Sequence, residues 1–175
     1  FISLNCAAIP ANLVETELFG YKKGAFTGAY ENNPGMIARA GCGTLFLDEI
    51  GELSPSSQAK LLKFLNDNEY SPVGGNEVCK SEARIITATN KNLEEEIAKG
   101  NFREDLFYRL NVIHIHVPPL RERVEDIEPL CNYFLKRARE KFGKNITHFS
   151  NEAIELIKKQ RWQGNVRQLK ATVYR

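Results

Sequence analysis

"GTLFLDEIGEL", Gly43 to Leu53, sets a short apolar run directly before two adjacent carboxylates, Asp48 and Glu49. The run reads as a buried strand, and a strand that ends in two acids delivers them to the C-terminal edge of a parallel sheet, where open α/β folds bind ligands. Adjacent residues on a strand point to opposite sides. One acid can therefore face a magnesium ion's water shell, while the other, released at the strand end, polarises an attacking water. Taken alone the pattern is short, and an ordinary strand end whose acids cap the next turn fits it equally.

Working outward, "FISLN", "ARIITATN" and "NVIHIHV" are further continuous apolar runs of the kind a parallel sheet buried on both faces contains. Helical segments separate them. "SPSSQAKLLKFLNDN" offers Ser54 as N-cap and Pro55 at the first helical position, with Leu61, Leu62 and Leu65 on one face. After Pro118 and Pro119 the β-branched runs stop and helical periods take over. The expected organisation is an α/β core over residues 1–119 and a small α-helical lobe over 120–175, without internal repeats or low-complexity tracts.

Bulk properties exclude several classes. The chain has 175 residues, 42% of them hydrophobic, enough for one sizeable core and a smaller lobe. No apolar run approaches the ~20 residues of a bilayer span and no signal-like segment is present, so no membrane partner is expected and the expected address is cytoplasmic. Cys6, Cys42, Cys79 and Cys131 lack metal-ligand spacing and read as reduced, mostly buried thiols. Net charge is only +2, but residues 119–175 hold 13 basic and 7 acidic groups, and residues 1–118 hold 11 and 15. The basic C-terminal lobe fits a solvated helical surface, or one facing phosphates or a neighbouring subunit.

Six blocks in register decide between the readings. "FISLNCAAIP", "GAFTGA" (Gly24 to Ala29), "GTLFLDE", "FREDLFYRLNV", "PPLRERVEDI" and "WQGNVRQL" together resemble the AAA+ ATPase domain of sigma-54-dependent transcriptional activators, the bacterial enhancer-binding proteins, along the whole chain. The resemblance implies a three-layer AAA+ P-loop NTPase core with a parallel sheet and an α-helical lid. It also implies ATP as substrate with Mg2+, a homo-oligomeric ring, hexameric, and the sigma-54 factor of RNA polymerase as partner.

Individual roles follow from the same resemblance. Asp48 would hold magnesium through water and Glu49 would activate the hydrolytic water. Asn5 would be the glutamate switch that tethers the catalytic acid, a task suited to an amide that hydrogen-bonds a carboxylate without titrating. Thr89 and Asn90 match sensor I, although a turn after a strand also explains them. Arg103 and Arg109 match the arginine fingers that reach a neighbour's nucleotide with a planar, permanently charged fork; read without the resemblance they are surface ion-pair partners of neighbours such as Glu104 and Asp105. Arg167 matches sensor II, on a helix for which Asn165 is the expected N-cap. Ile127, closing "PPLRERVEDI", is expected against the nucleotide. In this family Gln163 is usually proline and Gln168 glutamate, and the second change removes an acid near Arg167.

Within "GAFTGA" the resemblance makes Gly24 and Gly28 hinges, Phe26 the apolar grip on the sigma factor and Thr27 a polar contact beside it, flanked by Ala25 and Ala29. From the residues alone, Phe26 folds back on its own subunit equally well. "EYSPVGGNEVCKSEARI", Glu69 to Ile85, reads as a hairpin around Val73, Gly74 and Gly75, and by family position as a second pore-side loop.

The 175 residues contain no GxxxxGK[ST] phosphate loop. The expectation is that this loop and the strand leading into it precede Phe1, that these residues alone do not turn over ATP, and that the parent carries an N-terminal regulatory domain and a C-terminal helix-turn-helix for promoter or enhancer DNA. A different AAA+ remodeller would lack the need for "GAFTGA". A nucleotide-independent interaction module would explain the missing loop in another way.

Overall fold

The computed structural model describes residues 1–143 and 145–175, which divide into two compact units, Phe1–His114 and Ile115–Arg175. The first unit runs β1 (Ile2–Asn5), α1 (Ala11–Phe19), α2 (Gly35–Ala40), β2 (Thr44–Asp48), α3 (Pro55–Asp67), β3 (Glu69–Tyr70), β4 (Cys79–Lys80), β5 (Arg84–Thr87), α4 (Leu93–Ala98) and α5 (Glu104–Leu110).

Three strands pair in parallel in the order β1-β2-β5, with Asn5 opposite Asp48 and Leu47 opposite Thr87. The register aligns the apolar residues of alternate positions, so Leu4, Leu45 and Leu47 lie buried with Val14, Leu18, Phe19, Ile37, Leu61 and Phe64 in one core. Each fully buried leucine contributes about 1.5–3 kcal/mol over an exposed one. The opposite face is more open. Phe46 is only half-buried, stacked with Phe1 at 6.3 Å between ring centroids, and Ile86 is exposed. The sheet is thus sealed on one face, where the apolar runs suggested two.

"NVIHIHV" is the second difference. Residues 111–117 form neither helix nor strand, and Val112, Ile113, Ile115 and Val117 are all exposed. Their β-branched composition favours extended backbone, but a strand also needs a neighbour to satisfy its N–H and C=O groups, and none of the described residues runs alongside.

Local chemistry explains the elements around the sheet edge. Ser54 caps α3 by accepting from the Ser57 N–H at 3.3 Å, with Pro55 in the first turn, as its sequence indicated. Leu61 and Phe64 are buried from that helix. β3 and β4 pair as an antiparallel hairpin, Glu69 opposite Lys80.

The second unit contains α6 (Ile127–Phe142), α7 (Asn151–Lys158) and α8 (Asn165–Val173) around Leu120, Ile127, Cys131, Phe134, Ile154, Trp162 and Leu169. Asn165 is not the cap of α8. Gly164 holds that position, Asn165 opens the helix with φ +49°, and its Oδ1 accepts the Leu120 N–H at 2.8 Å. Gln168 reaches back to accept the Gly164 N–H at 3.0 Å, a capping task that the glutamine performs without the charge of the usual glutamate. No helix among the described residues is long and apolar enough to cross a membrane.

Candidate functional site

The C-terminal ends of β1, β2 and β5 meet at one edge of the sheet. Asn5 and Asp48 are register partners, and the Asn5 Nδ2 donates to Asp48 Oδ2 at 3.0 Å. The other end of that amide is also occupied, since Oδ1 accepts the N–H groups of Ala7 and Ala8 at 2.9 and 3.1 Å and so caps the turn after β1. The Asn5 tether therefore goes to Asp48, where the glutamate-switch reading expected Glu49.

Glu49 lies beyond the strand, in left-handed backbone with φ +54° and ψ +49°. A side chain with a Cβ pays roughly 1–2 kcal/mol for that conformation, a cost that clusters at functional sites. The turn is stitched to β5 by Ile50 N–H to Ala88 O at 3.0 Å and Ala88 N–H to Leu47 O at 2.9 Å. Its effect is to aim the carboxylate away from Asp48 and toward the end of β5, where Glu49 Oε2 accepts the Asn90 N–H at 3.2 Å. Thr89 Oγ1 accepts the Lys91 N–H at 3.1 Å, and Lys91 pairs with Glu52 at 2.9 Å. Asn5, Asp48, Glu49, Thr89 and Asn90 are thereby gathered at one edge. Beneath them, burial and then the charges of Asp48 and Glu49 push the Cys6 thiol up to about 11, so it stays neutral at ordinary pH.

No group of three or more acidic, histidine or cysteine ligands occurs among the described residues. Asp48 nevertheless suits a magnesium ion, which keeps most of its waters and needs only one or two carboxylates beside substrate phosphates.

The candidate fingers are both engaged within their own chain. Arg103 forks onto Asp105 at 3.0 and 2.7 Å, the surface pair its sequence suggested. Arg109 pairs with no acid among the described residues. Its Nε and Nη2 donate to the Leu65 carbonyl near the end of α3, at 3.2 and 2.8 Å.

The "GAFTGA" segment is a closed loop. Tyr21 and Asn33 exchange main-chain hydrogen bonds at 2.9 Å in both directions. Below this neck Gly20 and Gly35 touch so closely that a Cβ on Gly20 would stand 2.4 Å from the Asn33 carbonyl oxygen. At the tip Gly24 and Gly28 also have positive φ, +82° and +108°, but a Cβ built on either would meet nothing within 4 Å. Phe26 is 38% exposed and packs edge-on against Tyr21, centroids 5.0 Å apart. The β3–β4 connection lies against the same loop: Lys22 N–H donates to Val73 O at 3.0 Å, Val73 N–H to Gly20 O at 2.9 Å, and Lys22 pairs with Glu77 at 2.5 Å.

In the second unit Arg167 is exposed on α8. Ile127, expected against the nucleotide, is completely buried in that unit's core. Sequence reasoning also passed over Gln58, Tyr21 and Lys22. Gln58 is fully buried in α3 although its neighbours Ser56 and Ala59 are exposed.

The sigma-54 interaction domain family matches residues 1–116, and the AAA+ ATPase lid domain family matches residues 121–175. The chain is 52% identical over 169 residues to the Nif-specific regulatory protein of Azotobacter vinelandii, covering 97% of the chain and 32% of that protein. It is 50% identical over 175 residues to the transcriptional regulator NtrC of Rhizobium meliloti (strain 1021), covering all of the chain and 36% of that protein. Among solved structures, NtrX of Brucella abortus in complex with ATP superposes with a TM-score of 0.91 at 37% identity, covering 100% of this chain and 38% of that one. The chain spans about a third of the length of the curated relatives it matches.

Proposed function

Since the chain belongs to the sigma-54 interaction domain family, the AAA+ domain of sigma-54-dependent transcriptional activators, we propose that the protein carrying it hydrolyses ATP to remodel the closed complex of sigma-54 RNA polymerase. The observation that carries this reading is the meeting of Asn5, Asp48, Glu49 and the Asn90 N–H at one sheet edge, with Glu49 held in a costly backbone conformation. The nucleotide-bound state of NtrX supports ATP as the substrate.

Asp48 would hold magnesium through water, and the ion's part is to neutralise charge on the phosphates. Glu49 takes the proton of the attacking water, and the Asn90 N–H fixes where its carboxylate stands. Asn5 sits on Asp48 in the present state, and its amide governs the acid pair. Thr89 and Asn90 sense the γ-phosphate, and Arg167 is the second unit's contribution to nucleotide recognition. Arg103 and Arg109 act on the nucleotide of the next copy in a ring, releasing Asp105 and the Leu65 carbonyl to do so. The phosphate-binding loop expected before Phe1 and the DNA-binding segment belong to the same proposal for the whole protein.

The loop 22–32 is the contact for the sigma factor. Phe26 leaves Tyr21 to grip it, and nucleotide state shifts the loop's population only as far as the partner prefers the raised form. The deciding experiment follows ATP turnover and open-complex formation by the whole protein. Glu49→Gln is expected to stop both. Open complexes that form at the wild-type rate in Glu49→Gln would overturn the reading.

A further inference from the structure

Gln58 has a completely buried side chain, and every part of its amide is used. Nε2 donates to the Leu53 carbonyl at 2.8 Å and to the Asn101 carbonyl at 2.9 Å, while Oε1 accepts the Arg103 N–H at 2.9 Å. These three partners lie on three separate stretches. Leu53 follows the Asp48–Glu49 turn, Asn101 follows α4, and Arg103 is the N-cap of α5. An amide has two donors and an accepting oxygen, and here both donors and the oxygen are engaged. A buried polar network of that kind specifies one geometry, because each broken bond leaves a desolvated group unpaired.

The same helix face holds the second arginine. Leu65 lies seven residues beyond Gln58, two turns along α3, and its carbonyl receives both Nε and Nη2 of Arg109. One face of α3 therefore grips Arg103 by its main chain and Arg109 by its guanidinium. The N-terminal end of that helix is joined through Leu53 to the turn that carries Glu49.

We propose that α3 is the lever linking a subunit's own hydrolytic edge to the arginines it presents to its neighbour, and that Gln58 is the positioning residue at its fulcrum. When the turn at Glu49 moves, the Leu53 carbonyl carries Gln58 with it, and Oε1 shifts the start of α5. Gln58 is completely buried and does no chemistry itself. The proposal rests on the reading of Arg103 and Arg109 as fingers acting between copies, and its test separates the two.

The experiment measures ATP hydrolysis by the whole protein in homogeneous and mixed rings. Gln58→Leu rings are expected to bind ATP within about threefold of wild type but to turn over ~10- to 100-fold more slowly, the scale of a 1 Å misplacement. Mixing with Glu49→Gln subunits should restore turnover, because those subunits donate intact fingers to the Gln58→Leu sites. Mixing with Arg109→Ala subunits should not, since neither partner donates. Restoration in that second mixture, or wild-type turnover of Gln58→Leu alone, would overturn the proposal. So would failure to complement either partner, which marks an amide that only supports the fold. Gln58→Met, with an unbranched chain for the same slot, repeats the test if Gln58→Leu does not fold. Glu49→Gln mixed with Arg109→Ala is the control. Silence there, with no Gln58 variant involved, removes the reading of fingers in trans itself.

Discussion

The sheet edge and the 21–33 loop solve opposite problems. At the edge, side chains are pinned by other groups: Asn5 is bonded at both ends, Asp48 holds the Asn5 amide, and Glu49 is fixed by its backbone turn and the Asn90 N–H. In the loop the bonds are mostly main-chain ones, at the neck where Tyr21 meets Asn33 and across the tip where Gly24 N–H meets Ala29 O and Ala29 N–H meets Phe26 O, and a Cβ on either tip glycine would meet nothing within 4 Å. Bond-making chemistry needs atoms held in advance at the reacting geometry. Gripping a partner needs a ring that can leave its resting contact, and the edge-on packing of Phe26 against Tyr21 is a contact of that kind. On the proposed function, the edge suits turnover and the loop suits partner engagement.

That division can be broken in order of size. Arg109→Ala should lower ATP hydrolysis by the whole protein by about 10³-fold, the lower end of what an arginine finger supplies, and Glu49→Gln subunits mixed into the ring should recover part of it. A loss of less than fivefold would leave Arg109 as a helix cap on Leu65. Glu49→Gln alone should cost about 10²-fold or more, as loss of a general base does, with ATP affinity little changed. Gly20→Ala tests the neck, where φ is +80° and ψ is 177°, backbone reserved for glycine, and the new methyl meets the Asn33 carbonyl. Thermal unfolding should show about 3 kcal/mol of lost stability. Gly24→Ala, with the same sign of φ but no neighbour, should cost only about 1 kcal/mol. Equal costs would mean that neck and tip are equally fixed. The smallest effect concerns thiols: at pH 8 exposed Cys42 should react with an alkylating reagent well before Cys6, which is kept protonated by its burial and then by the charges of Asp48 and Glu49.

What was legible from the sequence was whatever announces itself locally. Four- and five-residue apolar runs mark β1, β2 and β5, Ser54 and Pro55 mark the start of α3, and an acid pair after a run marks a sheet edge. Residues whose meaning depends on a distant partner stayed hidden. "NVIHIHV" has a strand's composition, but composition does not supply the neighbour a strand must bond to. Gln58 is a polar residue at a helix position, which ordinarily means solvent, and only the approach of Leu53, Asn101 and Arg103 buries it. Nothing local to Ile127 discloses that the core of its own unit takes its side chain. Asn165 has the chemistry of an N-cap, yet Leu120 claims its side chain and leaves the cap to Gly164 and Gln168. The Asn5–Asp48 bond needed the register of two strands, which spacing along one chain does not disclose.

On the proposed division of labour, Phe26 and its neighbours engage the partner without serving hydrolysis. The most direct measurement is sigma-54 factor binding by the whole protein in the presence of a transition-state mimic of ATP, made alongside basal ATP turnover. Phe26→Ala and Thr27→Ala are expected to assemble and hydrolyse ATP at close to the wild-type rate, since both side chains are exposed and remote from the acid pair in sequence, while binding to the sigma factor is lost. Binding as tight as wild type, or turnover that falls together with binding, would contradict the division between edge and loop.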